Sequence, residues 1–161
     1  MPDSRQILPF GTLVLGVACS LVGAFIVLLA LGQFGAAPFA EGTPPWIGVL
    51  GGLVFVLGGL ALIVGFGIAG GAPGGELPPG TPFGVRLVQY LLGVGITTSL
   101  ALIASWVALG PGPRHFRTGG TIGGVIASET FGRAVFGLGA VLVWLFVALV
   151  SVTGLRRLSR K

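Results

Sequence analysis

Four long apolar stretches dominate the chain, at about residues 7–32, 46–70, 85–110 and 131–155. Each holds about 25 residues, and an α-helix needs about 20 to cross the hydrocarbon core of a bilayer. None carries Asp, Glu, Lys or Arg in its central part. A surface helix of a soluble domain shows a polar face at 3.6-residue spacing, and these stretches show none. The pattern predicts four transmembrane helices with room for tilt.

Between the stretches the chain is rich in helix breakers. The first connection runs from Gln33 to Pro45, the second from Gly71 to Gly84 with Pro73, Pro78, Pro79 and Pro82, and the third from Pro111 to Thr130. Proline lacks an amide donor and fixes φ, and glycine accepts positive φ, so helices stop there. No segment reads as a separate soluble domain. The expected fold is all-α: one polytopic membrane domain over 1–161, a four-transmembrane-helix bundle ending in a basic tail at 156–161.

Composition agrees with that class. Of 161 residues, 53% are apolar and 8% charged, against about 25% charged in ordinary soluble domains. Glycine contributes 31 residues, without the three-residue period of collagen. Membrane helices use glycine to bring backbones close.

The net charge of +5 is read topologically. Arg156, Arg157, Arg160 and Lys161 follow the last stretch, where basic residues hold a tail in the cytoplasm. Nucleic acid is not an expected partner. Four crossings put both ends on one side. With the ends inside, Arg5, Arg86 and the four tail charges face inward, and Arg114, Arg117 and Arg133 face outward. This count favours N- and C-termini on the cytoplasmic side.

Arg5 before an apolar run resembles a signal peptide, but the run is far longer than the 7–15 residues of a signal core. Ala18-Cys19 hints at lipoprotein processing, yet Gly16 replaces the usual bulky aliphatic and the apolar run continues beyond Cys19. As the sole cysteine, Cys19 forms no intrachain disulfide and no cysteine-based metal site. It is expected to be a small core residue.

Small residues recur every fourth position. The first helix carries Thr12, Gly16, Ser20 and Ala24. The second carries Gly48 and Gly52, then Ala61, Gly65 and Ala69. The third carries Gly93, Thr97, Ala101 and Ser105. Residues four apart share a helix face, and small ones admit a neighbouring helix. These positions are the expected helix-packing seams, with the partner helix in this chain or in another. The fourth helix is bulkier, with Phe131, Phe136, Trp144 and Phe146. Trp144 is expected to face lipid or fill space between helices. Trp46 and Trp106 occupy the interfacial belt at helix ends. Ala30-Leu31-Gly32 and Ala108-Leu109-Gly110 close the first and third helices alike, a weak hint of a duplicated hairpin.

Candidate chemistry is sparse. Thr97, Thr98, Ser99 and Ser105 cluster in the third helix, where hydroxyls either line a solute path or bond back to their own helix. Ion pumps and proton relays need ionisable groups at depth, and none is present. Glu129 and Arg133, four apart, read as a pair positioning the fourth helix. Arg86, Gln89 and Tyr90 read as headgroup anchors. In the third connection Arg114, His115, Phe116 and Arg117, together with Arg133, are candidates for contact with a lipid phosphate or a partner carboxylate. The glycines that follow lack the Gly-Lys-Ser/Thr ending of a phosphate-binding loop. A single histidine without cysteines or nearby carboxylates makes no metal site, and paired-histidine haem ligation is impossible within one chain. No nucleophile–base–acid set is visible. The expectation is therefore no enzyme and no cofactor.

Ser105-Trp106-Val107-Ala108-Leu109-Gly110-Pro111-Gly112-Pro113-Arg114-His115-Phe116 and Gly132-Arg133-Ala134-Val135-Phe136-Gly137-Leu138-Gly139-Ala140-Val141 resemble small bacterial four-helix membrane proteins of unknown function. Trp46 to Leu62 is similar as well, and Leu109 stands where the pattern has Phe. The resemblance covers about half the chain. It implies a multi-pass protein of the bacterial cytoplasmic membrane and no activity. Two functions stay open. One is a structural or accessory subunit that packs against other membrane proteins or itself. The other is an oligomeric channel or transporter using the Ser/Thr face of the third helix.

Overall fold

The computed structural model describes residues 4–35, 43–68, 80–112 and 129–159. Those residues are helical apart from short caps: α1 (Ser4–Ala30), α2 (Pro45–Leu62), α3 (Phe83–Leu109) and α4 (Glu129–Ser159). Each is long and apolar enough to cross a bilayer. In hydrocarbon a helix satisfies its own backbone polar groups, which is why apolar runs of this length fold so. The chain is a multi-pass membrane protein.

Breakers set the ends where the sequence places them. Pro44 caps α2, with Pro45 in its first turn, and Pro82 caps α3. Both use a residue with no amide to leave unpaired. α1 is closed off just beyond its end by Gly32, whose φ of +72° suits glycine. Gln33 N–H reaches Leu28 O at 3.1 Å and Gly32 N–H reaches Leu29 O at 3.0 Å, the paired bonds of a Schellman cap. α3 ends otherwise: Gly110 is extended at φ −62°, ψ 152°. The two Ala-Leu-Gly endings thus close differently, and the duplication hint gains nothing from them.

One departure from the sequence pattern lies in the second span. The apolar stretch predicts helix to residue 70, but α2 stops at Leu62 and Ile63–Ile68 continue as a π-helical turn. Such wide turns are rare and short. Here the turn carries Gly65 and Gly67. Ile63 reaches toward α1, and Gly65 is buried against α3.

The helices pack in chain order, α1 on α2, α2 on α3, α3 on α4, and α1 also touches the π turn. Among the described residues α1 and α4 make no close backbone approach, so the bundle is not closed into a ring. The outer helices therefore bury one strip each: Gly16, Gly23 and Ala30 on α1, and Gly132, Ala140 and Val147 on α4. Of the buried described residues only Leu92 and Val147 are larger than Ser. No large side chain is fully buried among them. Burial here means contact between backbones rather than a core of interlocking aliphatics.

Candidate functional site

The α1–α2 seam is built from glycines. A Cβ added to Gly23 would stand 2.5 Å from Gly52 O and 2.6 Å from Val56 N. One on Gly52 would stand 2.6 Å from Gly23 O and 2.9 Å from Val27 N. One on Gly16 would lie 2.8 Å from Gly59 O. One on Gly59 would collide with Gly16 O and the Ser20 hydroxyl. Backbones this close exclude any side chain between them, and Cα–H to carbonyl contacts replace side-chain packing.

Of the expected packing residues, Gly16 and Ser20 meet Gly59 at this seam, Gly52 meets Gly23, and Gly48 is buried on α2. Ala24 does not join them and is exposed. The reason is helical geometry. At about 100° per residue, a step of eight turns roughly 80° away from the starting face, whereas a step of seven returns within about 20°. The seam follows 16, 23 and 30 on α1 and 52 and 59 on α2, so Gly23 and Gly59 were the residues a four-residue stripe overlooks.

On α3 the expected stripe divides. Gly93 faces open space, while Ala101 is fully buried. The hydroxyls of Thr97, Ser99 and Ser105 donate to Gly93 O at 2.9 Å, Gly95 O at 2.8 Å and Ala101 O at 2.7 Å. This is the back-bonding geometry of Ser and Thr within a helix. Ser105 is used twice, because its oxygen also accepts the Trp144 indole N–H at 3.1 Å. Trp144 is thus partly exposed to lipid and tied to α3 as well.

α3 and α4 are pinned by polar contacts at three depths. Besides Trp144–Ser105, which meets α3 about one turn from its end, the Tyr90 hydroxyl donates to Ser151 O at 3.3 Å. The Tyr90 ring lies directly over Gly154. Tyr90 is therefore an interhelical side chain rather than a headgroup anchor. At the other end Arg133 Nε donates to Glu129 Oε1 at 3.0 Å, Nη1 to Gly110 O at 3.1 Å and Nη2 to Gly112 O at 2.6 Å. Nη2 also stands 3.0 Å from Glu129 Oε1.

Arg133, a candidate for lipid or partner contact, is engaged within the chain. Its guanidinium fork caps the carbonyl-rich end of α3, where positive charge is favourable, and Glu129 sits in the first turn of α4, where negative charge is. Arg114, His115, Phe116 and Arg117 lie outside the described residues.

Between α2 and α3 the contacts are mixed. Trp46 and Trp106 meet edge-to-face with centroids 6.2 Å apart, a favoured aromatic geometry that joins the start of α2 to the end of α3. Leu57 Cδ1 covers Gly95, and Gln89 covers Gly65. Among the described residues no three His, Cys, Asp or Glu side chains gather.

No family model matches the chain, and the comparisons with curated proteins and with solved structures found no match.

Proposed function

We propose that this protein is a non-catalytic structural or accessory subunit that packs against other membrane proteins in a larger complex of a bacterial cytoplasmic membrane, with both termini on the cytoplasmic side. The observation that carries the reading is the open series of helices. α4 is buried about half as much as α3 over its apolar span, and among the described residues α1 packs only on the second span and α4 only on α3. Small-residue and polar contacts do the joining, which is how helices associate where lipid is as apolar as leucine. Outer faces left free by such a series are available to further helices.

The orientation rests on the excess of Lys and Arg on the side of the two ends. The solute-path alternative needs hydroxyls free to meet a solute. Those of Thr97, Ser99 and Ser105 donate to their own helix, which supports the subunit reading.

Mild-detergent extraction from native membranes, native electrophoresis and mass spectrometry of the band test the proposal. Co-migration with other membrane proteins at fixed stoichiometry is expected. Migration as a lone monomer or homo-oligomer overturns it, and solute flux through liposomes carrying the purified protein would then argue for the alternative.

A further inference from the structure

α4 carries an ordered pattern on the face turned away from α3. Its strip toward α3 includes the buried Ala140 and Val147. On the other side, Val135, Leu138, Leu142, Leu145, Leu149 and Val152 follow one another in steps of three and four. Those steps are the a and d positions of three heptads. At about 100° per residue, all six lie within roughly 60° of the point opposite Ala140. Each is exposed, from 48% at Val152 to 64% at Leu138. From Val135 to Val152 the stripe rises about 25 Å, most of the ~30 Å hydrocarbon core.

Contact with lipid requires only that a surface be apolar, and the outer face of α1 meets that requirement without order. Its exposed Leu15 and Leu21 stand about 120° apart around the helix. On α4, by contrast, every leucine between Glu129 and Thr153 falls on the one stripe, and Gly132, Gly137 and Gly139 lie off it. This is the reverse of the α1–α2 seam, where glycines bring backbones together. A leucine stripe joins helices by interlocking side chains, with axes about 8–10 Å apart and a shallow left-handed crossing.

We propose that this face of α4 pairs in parallel with α4 of a second copy of the chain, as a two-stranded heptad seam inside the membrane. Two copies inserted in one bilayer run the same way, so α4 meets α4 about a two-fold axis along the membrane normal. A two-fold interface must be its own complement, and a stripe of a and d residues is, because each side chain enters a hole formed by the same residues of the partner. Two such stripes with their flanks cover on the order of 1,200 Å² in all, enough for a stable pair. The pairing leaves α1 at the outer edge of each copy and stands whether or not other proteins join the complex.

Disulfide trapping in native membranes tests the geometry, using the full-length protein with Cys19→Ser and one added cysteine. Leu138→Cys and Leu145→Cys should each give a linked dimer. Ala148→Cys, beside the stripe, and Leu21→Cys, on α1, should give at least about tenfold less, because Cα atoms more than ~7 Å apart cannot be bridged. Energy transfer between donor- and acceptor-labelled copies in liposomes tests the energetics. Leu142→Ala with Leu145→Ala should lower the lipid dilution that separates the copies at least about tenfold. Leu21→Ala with Phe25→Ala removes exposed apolar surface from α1 and should leave that dilution unchanged. All four truncated residues are exposed, and circular dichroism checks that helix content is kept. Copies that stay separate at every dilution, cross-links that favour Leu21→Cys, or pairing indifferent to the α4 truncations would overturn the proposal. An assembly of three or more copies would overturn the two-fold pairing. Other membrane proteins in the native band bear on the subunit reading alone.

Discussion

The indole N–H of Trp144 on α4 meets the hydroxyl oxygen of Ser105 on α3 at 3.1 Å, and that hydroxyl donates in turn to Ala101 O at 2.7 Å. A side chain expected to face lipid or to fill space between helices is therefore a polar link between two of them, reaching α3 about one turn from its end. Trp144→Phe keeps most of the apolar contact and removes the donor. The expected cost is about 0.6 kcal/mol, and no more than roughly 1.7, the range found for hydrogen bonds between membrane helices. Ser105→Ala should cost about the same, and the double variant should cost no more than either alone. Unfolding of the purified protein in mixed micelles by increasing SDS measures this.

The glycine seam makes a sharper contrast between neighbours. Gly23→Ala and Gly59→Ala place a methyl against backbone that cannot yield. They should destabilise the α1–α2 hairpin by about 1–3 kcal/mol, as overpacking does elsewhere. Gly51→Ala and Gly58→Ala meet nothing within 4 Å and should be neutral or mildly stabilising, since alanine is the better helix former by up to about 1 kcal/mol. Ala24→Leu, on the exposed side of α1, should leave the isolated protein unchanged. Thermal melts of the five variants in one detergent decide the matter. A destabilised Ala24→Leu with an intact Gly23→Ala would contradict the seam.

Arg133 joins the start of α4 to the end of α3 through carbonyls that no helical amide serves. Arg133→Ala should cost about 1–3 kcal/mol, because it leaves the buried Gly110 carbonyl without this donor. Arg133→Lys keeps the charge but loses the fork, and should recover less than half of that. Glu129→Gln should matter less than either, because an exposed i,i+4 pair contributes about 0.3–0.5 kcal/mol. The same denaturation measurement ranks the three.

The proposed orientation yields to reporter fusions. A fluorescent protein fused after Lys161 should fold and fluoresce, and alkaline phosphatase at the same position should be silent, because the tail stays in the cytoplasm. Replacing Arg156, Arg157, Arg160 and Lys161 by Gln together should weaken that preference. An active phosphatase fusion on the unaltered chain would reverse the assignment.

The four crossings, their breaks and the lack of mid-span charge were all legible in the chain. The reason is that hydrocarbon imposes a one-dimensional condition: enough consecutive apolar residues, folded as helix so that every backbone group is satisfied. The sequence also marked Gly16, Ser20 and Gly52 as small residues on shared faces, and paired Glu129 with Arg133 by their spacing.

Tertiary structure alone decided which small residues meet a backbone. It chose Gly23 over Ala24, turned Tyr90 inward onto Gly154, drew Arg133 to the end of α3, and widened the second span at Gly65. Soluble helices advertise their buried face by hydropathy. Membrane helices do not, because lipid and a neighbouring helix are equally apolar. The choice then falls to close packing and a few hydrogen bonds, which depend on where other helices stand.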